Sequence, residues 1–180
     1  MPTLSKTDIV YYLAASIDGY IAKSNGDVDW LAPYFIPELG FHDFIEEIGT
    51  VAMGRATFEK ILSFGQWPYS GKPGVIVTHR PLPGFDADLA QASGSSADIA
   101  SALAAAGPGP YWLVGGAQLA GQLLADRMIT RIDHFIIPEI IGEGIPALFL
   151  QRHMPMDLIG TQTFSNGVVC LSYKPRASIT

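Results

Sequence analysis

Two turns in the sequence combine glycine with side chains that could bind an anion. Gly54-Arg55 and Gly115-Gly116 each follow a short apolar run and lead into a segment with a helical pattern. Such strand-to-helix turns expose free backbone N–H groups at the positive end of a helix dipole, where phosphate groups bind. For either turn alone, glycine that merely permits a tight turn is the simpler explanation. The basic stretch Thr78-His79-Arg80 favours the phosphate-binding alternative, and with it a nucleotide.

Two carboxylates could supply acid–base chemistry. Glu38 follows Pro37 at the predicted start of a helix, about 70° from the centre of that helix's apolar stripe. It is either an inward-facing group that supports proton delivery or a solvated residue at a helix start. Asp18, which precedes Gly19, is either a catalytic group or a turn former.

The hydrophobic pattern predicts the elements that must position these groups. Strands are predicted at 9–15, 50–53, 74–78, 111–114, 131–141, 156–163 and 168–174, and helices at 37–48, 56–64, 98–106 and 118–128. The stretch 86–96 is ambiguous between a weak strand and a loop. Asn166-Gly167 indicates a hairpin between the last two strands. This order predicts an α/β fold, with one mixed sheet covered by helices and closed by an antiparallel hairpin, in a single domain over residues 1–180.

Composition restricts the class of protein. Of 180 residues, 48% are apolar and 16% are charged, so the chain can bury a substantial core. The net charge of −6 argues against a general nucleic-acid surface. Cys170 is the one cysteine, which excludes an internal disulfide and fits a reducing compartment. No apolar run approaches membrane-spanning length and no leader is evident, so a cytoplasmic protein without a membrane partner is expected.

A metal site is not expected. The four histidines are scattered along the sequence, and no paired Cys-x-x-Cys or His-Glu-x-x-His motif is present. His134 falls within a predicted strand and is interpreted as a strand residue rather than a ligand.

Three segments together resemble one superfamily of reductases. Met53-Gly54-Arg55-Ala56-Thr57-Phe58-Glu59 and Tyr111-Trp112-Leu113-Val114-Gly115-Gly116-Ala117-Gln118-Leu119 resemble the Gly-Arg-x-Thr and Gly-Gly segments of dihydrofolate reductases. The segment from Pro138 to Phe149 is more similar to the reductase domain of bacterial riboflavin biosynthesis and its small stand-alone relatives. The Ala15-Ser16-Ile17-Asp18-Gly19 turn is shared in outline with both. The resemblance implies a dihydrofolate reductase-like three-layer fold with a mostly parallel sheet.

The resemblance also implies NADPH as cofactor. Gly54, Arg55, Thr57 and the run Gly115, Gly116, Ala117, Gln118 and Leu119 would hold its pyrophosphate. Thr78, His79 and Arg80 would hold its 2′-phosphate, and Ala15 and Ile21 would lie against the nicotinamide. A cis peptide bond at Gly115-Gly116 belongs to the same pattern.

The substrate side departs from both relatives. Glu38 falls where dihydrofolate reductases carry their acidic substrate-binding residue. Lys72 replaces the arginine that clamps a carboxylate tail in folate reductases, and lysine cannot form that fork. Tyr20 stands where riboflavin reductases usually carry a basic residue, which argues against a phosphoribosyl substrate. Trp30 either walls the substrate pocket or anchors its loop.

The predicted activity is an NADPH-dependent reduction of a C=N or C=O bond in a small heterocyclic or sugar-linked substrate. The pyrimidine reductase of riboflavin biosynthesis, which reduces 5-amino-6-(5-phosphoribosylamino)uracil, is the first named activity, and dihydrofolate reductase is the second. An NADPH-binding sensor or scaffold without turnover is the alternative of another class. Family analogy implies a homodimer.

Overall fold

The computed structural model describes residues 3–65, 67–82 and 88–177. Its strands are β1 Ile9–Ser16, β2 Tyr20–Ala22, β3 Thr50–Gly54, β4 Gly74–Val77, β5 Leu89–Ala92, β6 Tyr111–Gly115, β7 Arg131–Ile137, β8 Ile145–Pro146, β9 Met156–Thr163 and β10 Val169–Pro175. Its α-helices are α1 Phe41–Glu47, α2 Arg55–Leu62, α3 Ser96–Ala106 and α4 Ala117–Ala125, with 3₁₀ turns at Asp29–Tyr34 and Pro37–Leu39. The ambiguous stretch 86–96 contains β5, while Asp86 and Ala87 lie outside the described residues.

One eight-stranded sheet carries the fold, in the order β5-β4-β3-β6-β1-β7-β10-β9. The six strands from β5 to β7 run parallel, and β10 and β9 close the sheet antiparallel to β7 and to each other. A separate two-stranded ladder joins β2 to β8. The predicted mixed, mostly parallel α/β sheet with a C-terminal antiparallel hairpin is confirmed. Because parallel strands end at one edge, the turns after β1, β3, β4 and β6 meet there.

The central strand β1 is apolar from Ile9 to Ala15 because helices cover both faces of the sheet. Val10 and Tyr12 pack on one face in a cluster that includes Phe44 and Phe58 from α1 and α2. The alternate residues of β1 pack on the other face against α3 and α4. None of the helices in the described ranges is long and apolar enough to cross a membrane.

The segment 37–48 is not the single helix that the pattern predicts. A 3₁₀ turn over Pro37–Leu39 ends at Gly40, whose φ of +68° is left-handed, and α1 begins only at Phe41. A left-handed residue interrupts the helical phase, so a wheel drawn through 37–48 does not describe which side Glu38 faces. The predicted strand 131–141 also ends early, at Ile137, because Pro138 has no N–H for the sheet.

Candidate functional site

A cleft of about 850 Å³ opens beside the C-terminal half of β1, between α2 and the segment that leads into α1. Its floor is formed by β1, β6 and β7, and it is covered by the loops that follow β2 and precede α1. Its lining includes Tyr12, Ala14, Ile21, Leu31, Tyr34, Phe35, Leu39, Phe41, Thr57, Glu59, Lys60, Ile61, Tyr69, Trp112, Gly115, Phe135 and Ile137. A cleft of this size can hold a drug-sized ligand.

The two glycine turns meet beside one end of the cleft, where Thr57 and Gly115 line it. We call this group the phosphate turn: Gly54, Thr57, Gly115 and Gly116. β3 and β6 are neighbours in the sheet, which brings the turns together. A Cβ on Gly116 would lie 3.5 Å from the Gly54 nitrogen, and a Cβ on Gly115 would lie 3.3 Å from Thr57 Oγ1. The turns therefore form one backbone-lined cradle at the start of two helices, α2 and α4, where N–H groups and helix dipoles favour an anion.

Basic side chains lie beside the phosphate turn. Arg55 Nε donates to Glu59 Oε1 at 2.7 Å, and Arg55 Nη1 donates to the Pro81 carbonyl at 2.9 Å. The Arg80 guanidinium lies 3.7 Å from the same Glu59 oxygen and is 69% exposed. The hydrogen bond from Arg55 holds the pKa of Glu59 below its usual range, so this carboxylate stays ionised. Arg80 can therefore reach a ligand phosphate at the end of β4.

Thr78 is buried and shapes the loop that carries Arg80. Its Oγ1 accepts a hydrogen bond from the Arg80 backbone N–H at 3.1 Å, while its own N–H donates to the Ala92 carbonyl. Thr78 therefore positions the loop, whereas His79 is exposed beside Arg80.

The remaining predicted cofactor residues divide into two groups. Ile21 lines the cleft, and Gln118 is exposed in the first turn of α4. Ala117 and Leu119 are buried in the contact of α4 with the sheet. Ala15 is fully buried and does not line the cleft, because alternate residues of β1 face opposite sides and Ala14 takes the lining position.

The predicted cis peptide bond at Gly115-Gly116 is wrong. Among the described residues the cis peptide is Gly109-Pro110. Gly116 turns the chain instead through a φ of +103°, a conformation that glycine adopts without steric cost.

Of the two alternatives for Glu38, the structure favours the solvated one. Glu38 is exposed in the 3₁₀ turn, outside the cleft lining, and its Oε2 accepts a long hydrogen bond of 3.4 Å from the Ser165 N–H. It borders a second, smaller cavity near Asp43 and Glu47. Leu39, the next residue, enters the core and lines the cleft. The carboxylate therefore has no access to a ligand in the cleft.

Asp18 holds a loop rather than facing the cleft. Its carboxylate accepts hydrogen bonds from the backbone N–H groups of Ile141 and Gly142, at 3.3 and 2.8 Å. A hydrogen bond with Ser16, together with these two, lowers the pKa of Asp18 below its ordinary value. In this arrangement the Asp18 carboxylate stabilises the loop at 141–142 and does not line the cleft.

Tyr20 and Trp30, the predicted substrate residues, lie outside the cleft lining. Tyr20 is paired with Pro146 in the ladder of β2 and β8. Trp30 is half-buried against the core cluster that contains Tyr12 and Phe44. Trp30 thus anchors its loop, while Leu31 and Tyr34 of the same 3₁₀ turn provide the lining.

The sequence reasoning missed a set of rings that we call the aromatic wall: Tyr12, Phe35, Phe41, Tyr69, Trp112 and Phe135, all in the cleft lining. Trp112 lies among the others, with ring centroids at 5.6 Å from Phe41 and 5.3 Å from Tyr69. In a sequence, aromatic residues within strands are typical of a hydrophobic core, so the pattern gave no indication of a cleft. Within this set, the ring that differs most from a core residue in the structure is Phe35, which is 63% exposed.

His134 lies in β7, as predicted. Burial lowers the pKa of its imidazole, and its Nε2 has no hydrogen-bond partner among the described residues. Within the described ranges, no group of three or more His, Cys, Asp or Glu side chains is placed to hold a metal ion.

Comparison with known proteins relates this cleft to one family. The family model for the RibD C-terminal domain matches residues 7–170. The protein YwjB of Bacillus subtilis (strain 168) is 30% identical over 163 residues, which cover 88% of this chain and 93% of YwjB. A candidate riboflavin biosynthesis protein from Shewanella sp. PV-4 has a crystal structure with a TM-score of 0.82 and 26% identity, covering 94% of this chain and 99% of that one.

The same fold occurs in a dihydrofolate reductase. The enzyme from Enterococcus faecalis, complexed with NADP(H) and RAB-propyl, matches with a TM-score of 0.70 and 17% identity. The match covers 96% of this chain and 98% of that enzyme. At this identity the likeness shows the fold alone, and it confirms the predicted dihydrofolate reductase-like architecture.

Proposed function

The chain belongs to the RibD C-terminal domain family, a family of NADPH-dependent reductases, and we propose that it uses NADPH to reduce a C=N or C=O bond in a small ring-containing substrate. The observation that supports this proposal best is the continuity of the phosphate turn with the aromatic wall in one cleft. An anion-binding backbone cradle at one end and an apolar chamber at the other suit a dinucleotide lying beside a flat substrate.

The residues present fit NADPH. The phosphate turn offers backbone N–H groups of α2 and α4 to the pyrophosphate. Arg80, with His79 beside it, offers charge to the 2′-phosphate. Ile21 and Ala14 line the cleft between these groups and the aromatic wall, where a nicotinamide ring would lie. When bound, NADPH supplies the hydride.

The described lining supplies no carboxylic acid for the accompanying proton. Glu59 is its one carboxylate, and this group is paired with Arg55. Tyr34 Oη donates to Glu139 Oε1 at 2.9 Å, and this bond raises the pKa of the Tyr34 phenol above its ordinary value. The proton therefore comes from water admitted at the cleft mouth or through a neutral hydroxyl.

Among the predicted named activities, neither receives specific support from the cleft. Reduction of 5-amino-6-(5-phosphoribosylamino)uracil calls for a phosphate-binding group near the substrate, and dihydrofolate reduction calls for an acidic residue at the pterin. Tyr20 and Glu38, the residues at those positions, lie outside the lining. The non-catalytic sensor is disfavoured by the open chamber next to the cofactor end. NADPH oxidation with a panel of cyclic imines and carbonyl compounds tests the proposal; saturable NADPH binding without turnover on any of them would favour the sensor.

Arg80→Ala is expected to weaken NADPH binding roughly tenfold or more while leaving NADH binding unchanged, because a charged hydrogen bond contributes roughly 1.5–3 kcal/mol. Fluorescence titration of wild type and variant with both cofactors measures this selectivity. Equal wild-type affinity for NADPH and NADH would contradict the assignment of Arg80 to the 2′-phosphate.

Glu38→Gln is expected to leave kcat unchanged between pH 5 and 8, since Glu38 has no access to the cleft. A group that delivers the proton would instead contribute about 10²–10⁴ in rate. Steady-state assays across this range, with the substrate that the panel identifies, decide the matter. A decrease of kcat by about 10²–10⁴ would show that Glu38 takes part in the mechanism and that the segment 37–40 moves during turnover.

A further inference from the structure

The aromatic wall borders the cleft and is most exposed at Phe35, while Tyr12, Tyr69, Trp112 and Phe135 are each at most 9% exposed. Trp112 lies at its centre, with rings of Phe41 and Tyr69 edge-on to its indole at 5.6 and 5.3 Å. The one polar atom of Trp112, Nε1, donates to the Tyr12 carbonyl at 3.1 Å. The indole therefore has no donor left for a ligand, and a flat apolar ring is the complementary shape.

Charged groups are nearly absent from the lining. Among the described residues of the cleft, Glu59 and Lys60 are the charged ones, and both belong to α2. Glu59 is paired with Arg55 beside the phosphate turn. Lys60 Nζ lies 5.4 Å from the ring centroid of Phe64, another lining residue that is 61% exposed, so its ammonium lies at the mouth of the cleft. The aromatic wall itself carries no charge.

Nearby cations are engaged elsewhere. Lys72, which replaces the tail-clamping arginine of folate reductases, donates its Nζ to the Ile48 carbonyl and does not line the cleft. Arg131 is buried in an ion pair with Asp133 and borders the second cavity. A ligand phosphate or carboxylate placed against the aromatic wall would therefore lose its hydration without gaining a cationic partner, which is costly.

One neutral hydroxyl remains available within the wall. Tyr69 lines the cleft, no hydrogen bond of its hydroxyl occurs among the described residues, and burial raises the pKa of its phenol. The Tyr12 phenol instead lies near the buried Asp133 and Cys170, and the proximity of these two groups adds to burial in raising its pKa. Tyr69 therefore stays protonated at any physiological pH and can donate one hydrogen bond to a ring heteroatom or carbonyl oxygen.

Building on the proposed function, we propose that the substrate is an uncharged, flat, mostly apolar ring compound that bears no phosphate or carboxylate. The aromatic wall stacks on its ring, and the Tyr69 hydroxyl binds its heteroatom. This class differs from both phosphoribosylated pyrimidines and folates, whose anionic tails would find no cationic partner at the aromatic wall.

A matched pair of fluorescent probes tests the charge preference directly. N-phenyl-1-naphthylamine is neutral, and 8-anilino-1-naphthalenesulfonate is the same ring system with one sulfonate. Titration of the full chain is expected to give a dissociation constant at least about tenfold lower for the neutral probe, because an unpaired buried anion is penalised. Equal or tighter binding of the sulfonate would overturn the proposal and point to an anionic substrate held by Lys60.

Two exposed phenylalanines provide the variant and its control. Phe35 is 63% exposed at the cleft mouth, and Phe149 is 52% exposed outside the lining. Phe35→Glu is expected to weaken the neutral probe about tenfold, whereas Phe149→Glu leaves its affinity unchanged. Equal effects of the two substitutions would show that the probe binds elsewhere and overturn the proposal.

Saturating NADP⁺ separates this inference from the proposed function. The neutral probe is expected to remain bound when NADP⁺ fills the cofactor end, and competitive displacement would place the probe in the cofactor site and overturn the proposal. NADPH binding is measured independently by its own titration. If NADPH does not bind but the protein still binds the neutral probe more tightly than the sulfonate, the reductase function is rejected and the site for neutral rings is retained.

Discussion

Gly116→Ala is expected to weaken NADPH binding about a hundredfold while the protein remains folded. Gly116 has a φ of +103°, which L residues rarely adopt, and its Cβ would lie 3.5 Å from the Gly54 nitrogen. Relief of that strain, roughly 1–3 kcal/mol, requires the turn to rotate, so its N–H groups no longer point towards the phosphate. Loss of one or two bonds to a charged phosphate, at roughly 1.5–3 kcal/mol each, gives an effect of this size. Fluorescence titration measures it.

Gly65→Ala is the matched control for the backbone strain. Gly65 has a φ of +99°, and a Cβ there would meet nothing within 4 Å. Both variants are therefore expected to lose similar stability in thermal unfolding, and only Gly116→Ala should lose NADPH. Normal NADPH binding by Gly116→Ala would show that the phosphate turn only reverses the chain and does not bind the cofactor.

Asp133→Ala is expected to lower the free energy of unfolding by about 3–5 kcal/mol, since it removes one partner of a buried ion pair. Asp133 is fully buried, lies 2.9 Å from Arg131 Nε and accepts a hydrogen bond from Ser172 Oγ. The substitution takes the carboxylate away from the buried Arg131 and removes the acceptor of the Ser172 hydroxyl. Urea unfolding measures the loss, which corresponds to roughly 6–20 °C in melting temperature for a chain of this size.

The exposed pair of Arg176 and Asp157 provides the comparison. Its Nε–Oδ1 distance, 2.7 Å, is as short as that of the buried pair, but both side chains are substantially exposed. Asp157→Ala is therefore expected to cost less than about 1 kcal/mol. Similar losses from the two variants would show that burial of Asp133 contributes nothing to its importance.

The glycine turns at one end of the cleft were largely predictable from the sequence. Gly54, Gly115 and Gly116 are short-range signals: each follows an apolar strand and precedes a helix, and parallel strands end at one edge of a sheet. The sequence could not decide between the two orientations of Glu38. The wheel through 37–48 places it near the apolar stripe, yet Gly40, at a φ of +68°, separates the 3₁₀ turn from α1. A single glycine within a helical pattern is also tolerated without a break, so the periodicity alone does not reveal this interruption.

By itself the sequence determined the class of fold, the central strand β1, the closing hairpin at Asn166-Gly167 and the residues of the phosphate turn, because alternation, turn chemistry and strand-to-helix glycines are local properties. The tertiary structure alone decided the apolar side of the cleft. Its aromatic wall takes Tyr12 from β1, Trp112 from β6 and Phe135 from β7, with Phe35, Phe41 and Tyr69 from loops and a helix start. In a sequence these rings are indistinguishable from core residues. Whether a ring is covered by a helix or borders a cleft depends on how elements far apart in the chain pack against one another. Hydrophobic periodicity does not predict that packing.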